Sequence, residues 1–259
     1  TFDALTGDQS RVEALSIINF DGNGILLDGT NSVLIYNNYI GVAADGSAAG
    51  NNGAGVTVTN GASSNTIGVG GGTTNVISNN GEYGIYIGAA GGESDNVIRG
   101  NLIGVDPSGT TDMGNNFEGI LASRATNTTI GGSSAGARNV ISGNGLQGIR
   151  IFGDDATIEG NYIGINEAGD AAIANDKNGI KLSSGATPVA VTDNVVSGNT
   201  EHGIELVDIG TQADITGNNI GTNAAGDAVL SNTLNGIEIA NNASATIGGT
   251  ASGAGNTVA

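Results

Sequence analysis

The chain has 259 residues and a formal net charge of −18, from 25 acidic and 7 basic residues. This charge disfavours nucleic acid and anionic membrane surfaces as partners, because binding to phosphates needs clustered Lys and Arg. Without cysteine the chain has no disulfide and no thiolate metal site, and no apolar run in the sequence reaches the ~18–20 residues of a membrane span.

The first 23 residues differ from the rest of the chain. An aliphatic pattern is visible there only in residues 12–18, which read Val-Glu-Ala-Leu-Ser-Ile-Ile. We interpret residues 1–23 as an incomplete leading coil and residues 24–259 as eight coils.

From residue 24 onward one short pattern recurs: glycine, an aliphatic residue, any residue, and a second aliphatic residue. Its second and fourth residues share one face, which is the period of a β-strand. The glycines lie 24 to 35 residues apart, a spacing typical of solenoids. The eight copies begin at Gly24, Gly55, Gly84, Gly119, Gly148, Gly179, Gly203 and Gly236.

Two asparagine positions recur in the same units, each next to a short aliphatic segment. Asparagine tolerates left-handed backbone and bonds its own main chain at turns, and stacked asparagines can bond to one another as a ladder. We therefore predict an all-β chain: one parallel β-helix domain over residues 1–259, with about eight coils, three short strands per coil and asparagine ladders at the corners. The first position holds Asn38, Asn75, Asn101, Asn139, Asn161, Asn194, Asn218 and Asn256, and the second holds Asn51, Asn80, Asn115, Asn144, Asn175, Asn199 and Asn232.

Alternate coils carry a long loop after their third segment, and each of these loops contains an aspartate. Calcium is the one cofactor that this pattern suggests, because Ca²⁺ is held by several carboxylate and carbonyl oxygens. Against calcium, a two-coil spacing keeps equivalent carboxylates roughly 9–10 Å apart, and Asp-Gly sequences also serve as plain turns. The weak metal candidates are Asp45, Asp106, Asp170 and Asp227.

These repeats resemble the right-handed parallel β-helix repeats of the pectate-lyase-like superfamily, in particular those of large bacterial secreted and surface proteins. The resemblance lies in Asn-aliphatic-Ile-Ser-Gly-Asn segments, such as the one from Asn139 to Asn144, and it covers about residues 12–259. It implies a right-handed helix, but that superfamily includes lyases, glycosidases, epimerases, tailspikes and adhesins. Fold alone therefore does not decide the function.

In enzymes that this chain resembles, the active site usually lies on the outer face of one sheet. A sugar site would use Arg150 or Lys181 to take a proton, with His202 assisting and an acidic residue as general acid. The alternative is an exposed ladder of cross-strand charges without chemistry. The five tyrosines are scattered along the sequence, and Tyr39 and Tyr162 share a repeat position that indicates corner packing. On the first strand of each coil we predict an outward column of Leu26, Thr57, Tyr86, Leu121, Arg150, Lys181, Glu205 and Glu238.

Two functions are consistent with these patterns. The first is a non-catalytic, structural or adhesive β-solenoid of an extracellular surface protein or filament. It would assemble head-to-tail with copies of itself through uncapped ends, or join flanking domains of a longer chain. The alternative is a polysaccharide-active enzyme of the lyase or epimerase type, or a carbohydrate-binding spike. Regular repeats and few catalytic residue types favour the first function.

Overall fold

The computed structural model describes residues 9–88, 91–153 and 155–259. Within them the chain consists almost entirely of short parallel strands. Each coil contributes one strand to each of three sheets, and each strand pairs with the equivalent strand of the next coil. The predicted parallel β-helix with three strands per coil is confirmed. The one helical segment of the described residues is a 3-10 turn at Ala135–Ala137.

The strands are numbered in chain order, and every third strand belongs to the same sheet. The first sheet contains β3 Ile25–Asp28, β6 Val56–Thr59, β9 Ile85–Ile87, β12 Ile120–Ser123, β15 Ile149–Phe152, β18 Ile180–Ser183, β21 Ile204–Leu206 and β24 Ile237–Ile239. The second sheet contains β1 Arg11–Glu13, β4 Leu34–Tyr36, β7 Thr66–Ile67, β10 Val97–Ile98, β13 Thr128–Gly131, β16 Ala156–Glu159, β19 Val189–Thr192, β22 Gln212–Thr216 and β25 Ser244–Ile247. The third sheet contains β2 Ser16–Ile17, β5 Tyr39–Ile40, β8 Asn75–Ile77, β11 Asn101–Ile103, β14 Val140–Ile141, β17 Tyr162–Ile163, β20 Val195–Val196, β23 Asn219–Ile220 and β26 Thr257–Val258.

The stretch read as an incomplete leading coil contributes β1 and β2. They pair with β4 and β5 on the second and third sheets, while residues 1–8 lie outside the described part of the chain.

The core is a single column of aliphatic side chains inside the coil. Along β15, Ile149 and Ile151 are buried while Arg150 between them points outward, as the strand period requires. Ile, Val, Leu and Ala fill equivalent positions in the other coils and form one continuous cluster. The aliphatic residues that recur in every repeat therefore form the inner surface of the helix.

Both predicted asparagine ladders are present. At the corner between the second and third sheets, eight asparagines from Asn38 to Asn256 are joined by seven amide-to-carbonyl hydrogen bonds of 2.8–3.1 Å. At the corner between the third and first sheets, seven asparagines from Asn51 to Asn232 are joined by six such bonds of 2.9–3.0 Å. The ladders supply buried partners for backbone groups that the turns leave unpaired.

A third, short ladder was not predicted. At the corner between the first and second sheets, the Asn65 amide donates to the Asn96 carbonyl oxygen at 3.1 Å, and both side chains are buried. Asn65 in turn accepts a hydrogen bond from the backbone of Val33 in the previous coil. Because only two coils carry an asparagine there, the repeat pattern does not reveal it.

The recurring glycine is explained by close approach between coils. A Cβ atom on Gly148 would lie 2.8 Å from the Gly179 carbonyl oxygen, 2.8 Å from Ile163 Cγ2 and 2.9 Å from the Asn175 amide nitrogen. The second asparagine ladder therefore occupies the space that a side chain would need.

We expect Gly148→Ala to lower the free energy of unfolding by about 1–3 kcal/mol, because overpacking forces neighbouring backbone to move. Denaturant unfolding measures this change. Gly255→Ala is the matched control, because a Cβ there meets no atom within 4 Å and its φ is not in the left-handed region. Equal losses in the two variants would contradict the explanation.

The long loops of alternate coils cover the outer face of the third sheet. Val42, Val105 and Ile173 from the loops pack with Val76, Leu102 and Val140 of the sheet in a second apolar cluster, and Tyr39 and Tyr162 pack against it. The predicted corner packing of these two tyrosines is confirmed. The long loops therefore cover part of the outer face of the third sheet, and the outward column of the first sheet lies on a different face of the helix.

A buried serine in every second coil secures the next long loop. Ser142 donates to the Ile165 carbonyl oxygen at 2.8 Å and accepts from the Gly164 amide at 3.0 Å. Ser78 and Ser197 make the same pair of contacts. The structural repeat is therefore two coils long.

Among the described residues, no helix is long and apolar enough to cross a membrane.

Candidate functional site

The outward column of the first sheet has the predicted register. Arg150 lies opposite Lys181, Lys181 opposite Glu205, and Glu205 opposite Glu238. Toward the start of the chain, Arg150 lies opposite Leu121, which lies opposite Tyr86. Two cations and two carboxylates thus follow an apolar and an aromatic residue along one face.

Two further columns lie beside this one, both on the corner that leads into each strand of the first sheet. Backbone hydrogen bonds between successive corners hold equivalent residues in register, as from the Gly179 amide to the His202 carbonyl oxygen. We call the three columns together the first-sheet face. The residues just before each glycine are Tyr83, Glu118, Gln147, Asn178, His202 and Asn235, and those one position earlier are Glu82, Phe117, Leu146, Lys177, Glu201 and Leu234.

Lys181 and His202, both predicted candidates, belong to one hydrogen-bonded network. The Lys181 ammonium lies 2.8 Å from Glu205 Oε2. The Asn178 amide donates to the same Glu205 oxygen at 2.7 Å, and the Asn178 carbonyl oxygen accepts from the His202 backbone N–H at 3.0 Å. Asn178 is 1% exposed, so it holds the neighbouring coils in fixed relative positions. The network is also what a cross-strand charge ladder would produce.

The hydrogen bonds of His202 define its tautomer. The Asn235 backbone N–H donates to Nδ1 at 3.2 Å, so Nδ1 carries no proton. The proton of the neutral ring is therefore on Nε2, which lies 3.2 Å from Glu238 Oε2. In this arrangement the lone pair of Nδ1 is occupied by the Asn235 N–H.

Arg150 lies on the other side of Lys181 and faces a buried carboxylate. Its Nη1 atom is 3.6 Å from Oε1 of Glu118, whose side chain is 3% exposed. This distance makes an ion pair rather than a hydrogen bond, and the buried Nε atom of Arg150 has no hydrogen-bond partner in the structure. The Nε atom is out of reach of a ligand, but the side chain is 32% exposed and its Nη groups make no hydrogen bond to the described residues, so an oxyanion bound on this face could accept from them.

An aromatic cluster adjoins Glu118, and it corrects the expectation that the tyrosines are scattered. Tyr83 and Tyr86 are stacked with ring centroids 5.1 Å apart, and Phe117 meets Tyr83 edge-on at 5.3 Å. Phe117 is exposed. Reading the column before each glycine would have placed Tyr83 beside Glu118, because equivalent positions in successive coils are neighbours.

The two stacked tyrosines have raised pKa values, so their hydroxyls stay protonated to a higher pH than usual. Burial, followed by the negative charge of Glu118, raises the pKa of the Tyr83 hydroxyl, and burial raises the pKa of Tyr86. Both residues therefore present neutral O–H donors at neutral pH.

The raised pKa of Tyr83 predicts a dependence of stability on alkaline pH. The stabilisation is complete below the unfolded pKa of about 10 and is lost as the pH rises through the higher folded value. Tyr83→Phe removes the titrating group, so we expect its melting temperature to fall less than that of the wild type above about pH 10. Thermal melts across that range measure the difference, and parallel curves would contradict the assignment.

The four loop aspartates bond within their own loops. Asp45 accepts from the Ser47 hydroxyl at 2.6 Å, and Asp106 from the Ser108 hydroxyl at 2.6 Å and the Thr110 and Thr111 amides at 2.8 Å. Asp170 and Asp227 each accept from the asparagine four residues earlier at 2.8 Å. No group of three or more His, Asp or Glu suited to a metal ion occurs among the described residues. Calcium binding therefore stays a prediction without a site.

Comparisons with known proteins identify the fold. No protein-family model matches the chain, and no curated protein matches it either. Among solved structures, the A-module of Azotobacter vinelandii mannuronan C-5 epimerase AlgE6 superimposes with a TM-score of 0.67 at 16% sequence identity, over 97% of this chain and 58% of the module. The periplasmic alginate epimerase AlgG superimposes with a TM-score of 0.53 at 15% identity, over 85% of this chain and 50% of AlgG.

The chain has the right-handed parallel β-helix fold. It spans slightly more than half the length of the AlgE6 module and half that of AlgG. At these identities the likeness concerns the fold, and chemistry must be argued from the side chains of the first-sheet face.

Proposed function

We propose that this chain acts on a uronate polysaccharide at the first-sheet face, as an enzyme of the epimerase or lyase type. The observation that carries the proposal is that Arg150, Lys181 and His202 lie in three successive coils on one face. The neutral, stacked tyrosines lie two coils before Arg150 on the same face. Three of the seven basic residues of an otherwise acidic chain, Arg150, Lys177 and Lys181, lie in two successive coils there. The names of the two similar structures, a mannuronan and an alginate epimerase, support the same substrate class.

Epimerisation and elimination of a uronate share their first step. A base removes the proton at C-5, next to the carboxylate, and the electron pair of the broken C–H bond moves into the carboxyl group. An epimerase then returns a proton to the opposite face of C-5. A lyase instead expels the oxygen substituent at C-4, which leaves a double bond between C-4 and C-5. Both reactions need cations facing the carboxyl group, a base and a proton donor.

The first-sheet face offers the cations and the base. Arg150 and Lys181 lie on adjacent strands and stabilise the negative charge that develops on the carboxyl group. His202 serves as the base once Nδ1 is released by the Asn235 N–H. The tyrosines lie four coils before His202, roughly 19 Å away, so the proton returned to C-5 comes from water and the tyrosines contact a neighbouring sugar unit. Lys181 is a donor to Glu205 in this structure, which suits charge stabilisation better than proton abstraction.

This proposal takes the second of the two expected functions in preference to the first. The comparisons give no support to adhesion or filament formation, and head-to-tail assembly stays a prediction. Since AlgG is described as periplasmic, we further propose that this chain works outside the cytoplasm, where polysaccharides are found.

Deuterium exchange tests the proposal. The chain is incubated in D₂O with polymannuronate, polyguluronate, polygalacturonate or a neutral glucan, and proton NMR follows the C-5 signal and any unsaturated product. We expect loss of the C-5 proton signal with at least one polyuronate and none with the glucan, because only a neighbouring carboxylate makes that proton removable. Each polymer is assayed with calcium and with a chelator, since the net charge of −18 repels polyanions.

Two outcomes would contradict enzymatic activity. If no polyuronate exchanges or becomes unsaturated under any condition, the first-sheet face is not a catalytic site for uronates. If a polyuronate protects the first-sheet face from hydrogen exchange without losing its own C-5 proton, the chain is a carbohydrate-binding module.

A further inference from the structure

A second cationic site lies on a different edge of the helix, around Arg138. This residue ends the corner loop that follows β13, directly before the first asparagine ladder and β14. The corner joins the second and third sheets, whereas the first-sheet face begins at the opposite side of the third sheet. Arg138 therefore cannot take part in the network of Lys181 and His202.

The guanidinium of Arg138 is held in place but has no anionic partner. Its Cζ atom lies 3.9 Å from the centroid of the Tyr162 ring, which fixes the plane of the group. Its buried Nε atom has no hydrogen-bond partner in the structure, and among the described residues Arg138 forms no ion pair. A buried donor without an acceptor calls for a missing ligand or water. Among the described residues Arg11, Arg99 and Arg124 form no ion pair either, but they are exposed.

Two cavities meet at Arg138 and make one open, polar groove. One cavity, of about 400 Å³, extends toward the start of the chain between the glycine-rich loop 70–72 and the long loop that carries Glu167. The other, of about 220 Å³, extends toward Asn219 and is lined by Ser133, Ser134, Tyr162 and the carboxylate of Asp193. Together they cross six successive coils, which corresponds to roughly 24 Å along the helix axis. The shape suits an extended polar chain better than a compact molecule.

We propose that this groove is a second polysaccharide-binding site, in which Arg138 receives the carboxylate of a uronate unit. Because Nε is buried, the two Nη groups of the planar guanidinium, which make no hydrogen bond to the described part of the chain, present their N–H donors to a carboxylate in a two-pronged arrangement. The serines and exposed backbone of the loops bond to sugar hydroxyls. The choice of ligand rests on the proposed function, since it assumes the same class of polymer. The groove anchors the polymer away from the first-sheet face and keeps it close between encounters with that face.

Hydrogen exchange with polymannuronate oligomers tests the proposal locally. We expect long oligomers to protect residues 131–138 in the wild type. In Arg138→Ala we expect this protection to disappear and the affinity for the oligomers to fall about tenfold or more, because a charged hydrogen-bond donor is lost. Arg11→Ala is the matched control, because it removes the same charge from an exposed position on β1. Thermal melts confirm that both variants are folded.

Three outcomes would overturn the proposal. The first is that Arg138→Ala binds the oligomers as tightly as Arg11→Ala does. The second is that the oligomers protect only the first-sheet face. The third is that inorganic phosphate protects residues 131–138 as well as the long oligomers do, which would indicate a small-anion site. Failure of the proposed function would look different. No polyuronate would exchange its C-5 proton, but protection of residues 131–138 would still depend on Arg138, so the binding site would stand without the enzymatic activity.

Discussion

Replacing Asn161 by alanine is expected to lower the free energy of unfolding by about 3–6 kcal/mol, because several buried groups lose their partners at once. The Asn161 amide donates to the carbonyl oxygens of Ile130, Glu159 and Asn194 at 2.9–3.1 Å. Its own carbonyl oxygen accepts from the backbone and side-chain amides of Asn139 at 3.2 and 2.9 Å. The side chain is fully buried, so water does not replace these bonds.

Because stability in a solenoid is a sum over neighbouring coils, a break at this central rung weakens the contacts on both sides. Asn161→Asp separates hydrogen bonding from packing, since it keeps the shape and removes the donors. We expect it to be at least as unstable as the alanine variant at neutral pH, where a carboxylate oxygen would face the carbonyl oxygen of Ile130.

Asn52→Ala provides the control for this experiment. Asn52 is exposed and lies outside both ladders, so its replacement is expected to change stability by less than about 0.5 kcal/mol. Urea unfolding, followed by circular dichroism, compares the three variants with the wild type. A loss below about 1 kcal/mol for Asn161→Ala, the worth of a single ordinary hydrogen bond, would show that the ladder is not a main source of stability.

Arg150→Ala is expected to slow C-5 proton exchange in the uronate substrate by about 100-fold or more, the usual effect of removing one donor that faces a developing oxyanion. Arg150 combines unused donors with a position next to Lys181, two coils from the tyrosine stack. Arg150→Lys keeps the charge but loses the planar pair of donors, so it should recover only part of the rate. Deuterium incorporation at C-5, measured at saturating and limiting polymer, separates a loss of turnover from a loss of binding.

The alanine variant leaves Glu118 buried without its cation, so its fold must be checked by thermal melting before its rate is interpreted. Arg11→Ala, on the second sheet, controls for the loss of one positive charge from the whole protein. If Arg150→Ala exchanges the C-5 proton as fast as Arg11→Ala does, Arg150 is part of a structural charge ladder and the catalytic site must lie elsewhere.

Sequence signals are strong wherever a residue type recurs in every coil. Gly148 and its seven equivalents cannot carry a side chain, Asn161 and its equivalents need one another across the corner, and Ile149 and Ile151 have only the interior to occupy. Each requirement repeats with every coil, so period and residue type alone predict the coil, its three strands and its two long ladders. The register of Arg150, Lys181 and Glu205 follows, because equivalent positions in adjacent coils must be neighbours.

Features present in one or two coils left no such signal. Tyr83 and Phe117 are 34 positions apart in the sequence, yet they touch because neighbouring corners stack. The link from Asn178 to Glu205 and His202 joins residues of different columns, which a reading of single columns does not connect.

The architecture can be read from the sequence, since the aliphatic, glycine and asparagine periods are local and satisfy the same physical constraint in every coil. The three-dimensional structure was needed to show which polar side chains share a surface and which lack a partner. Arg138 and Arg150 are only 12 positions apart in the sequence, but Arg150 faces a buried carboxylate and Arg138 lies in an open groove beside a tyrosine ring. Hydrogen-bond geometry and burial at these corners depend on side chains from adjacent coils, and those meet only when the chain has wound a full turn.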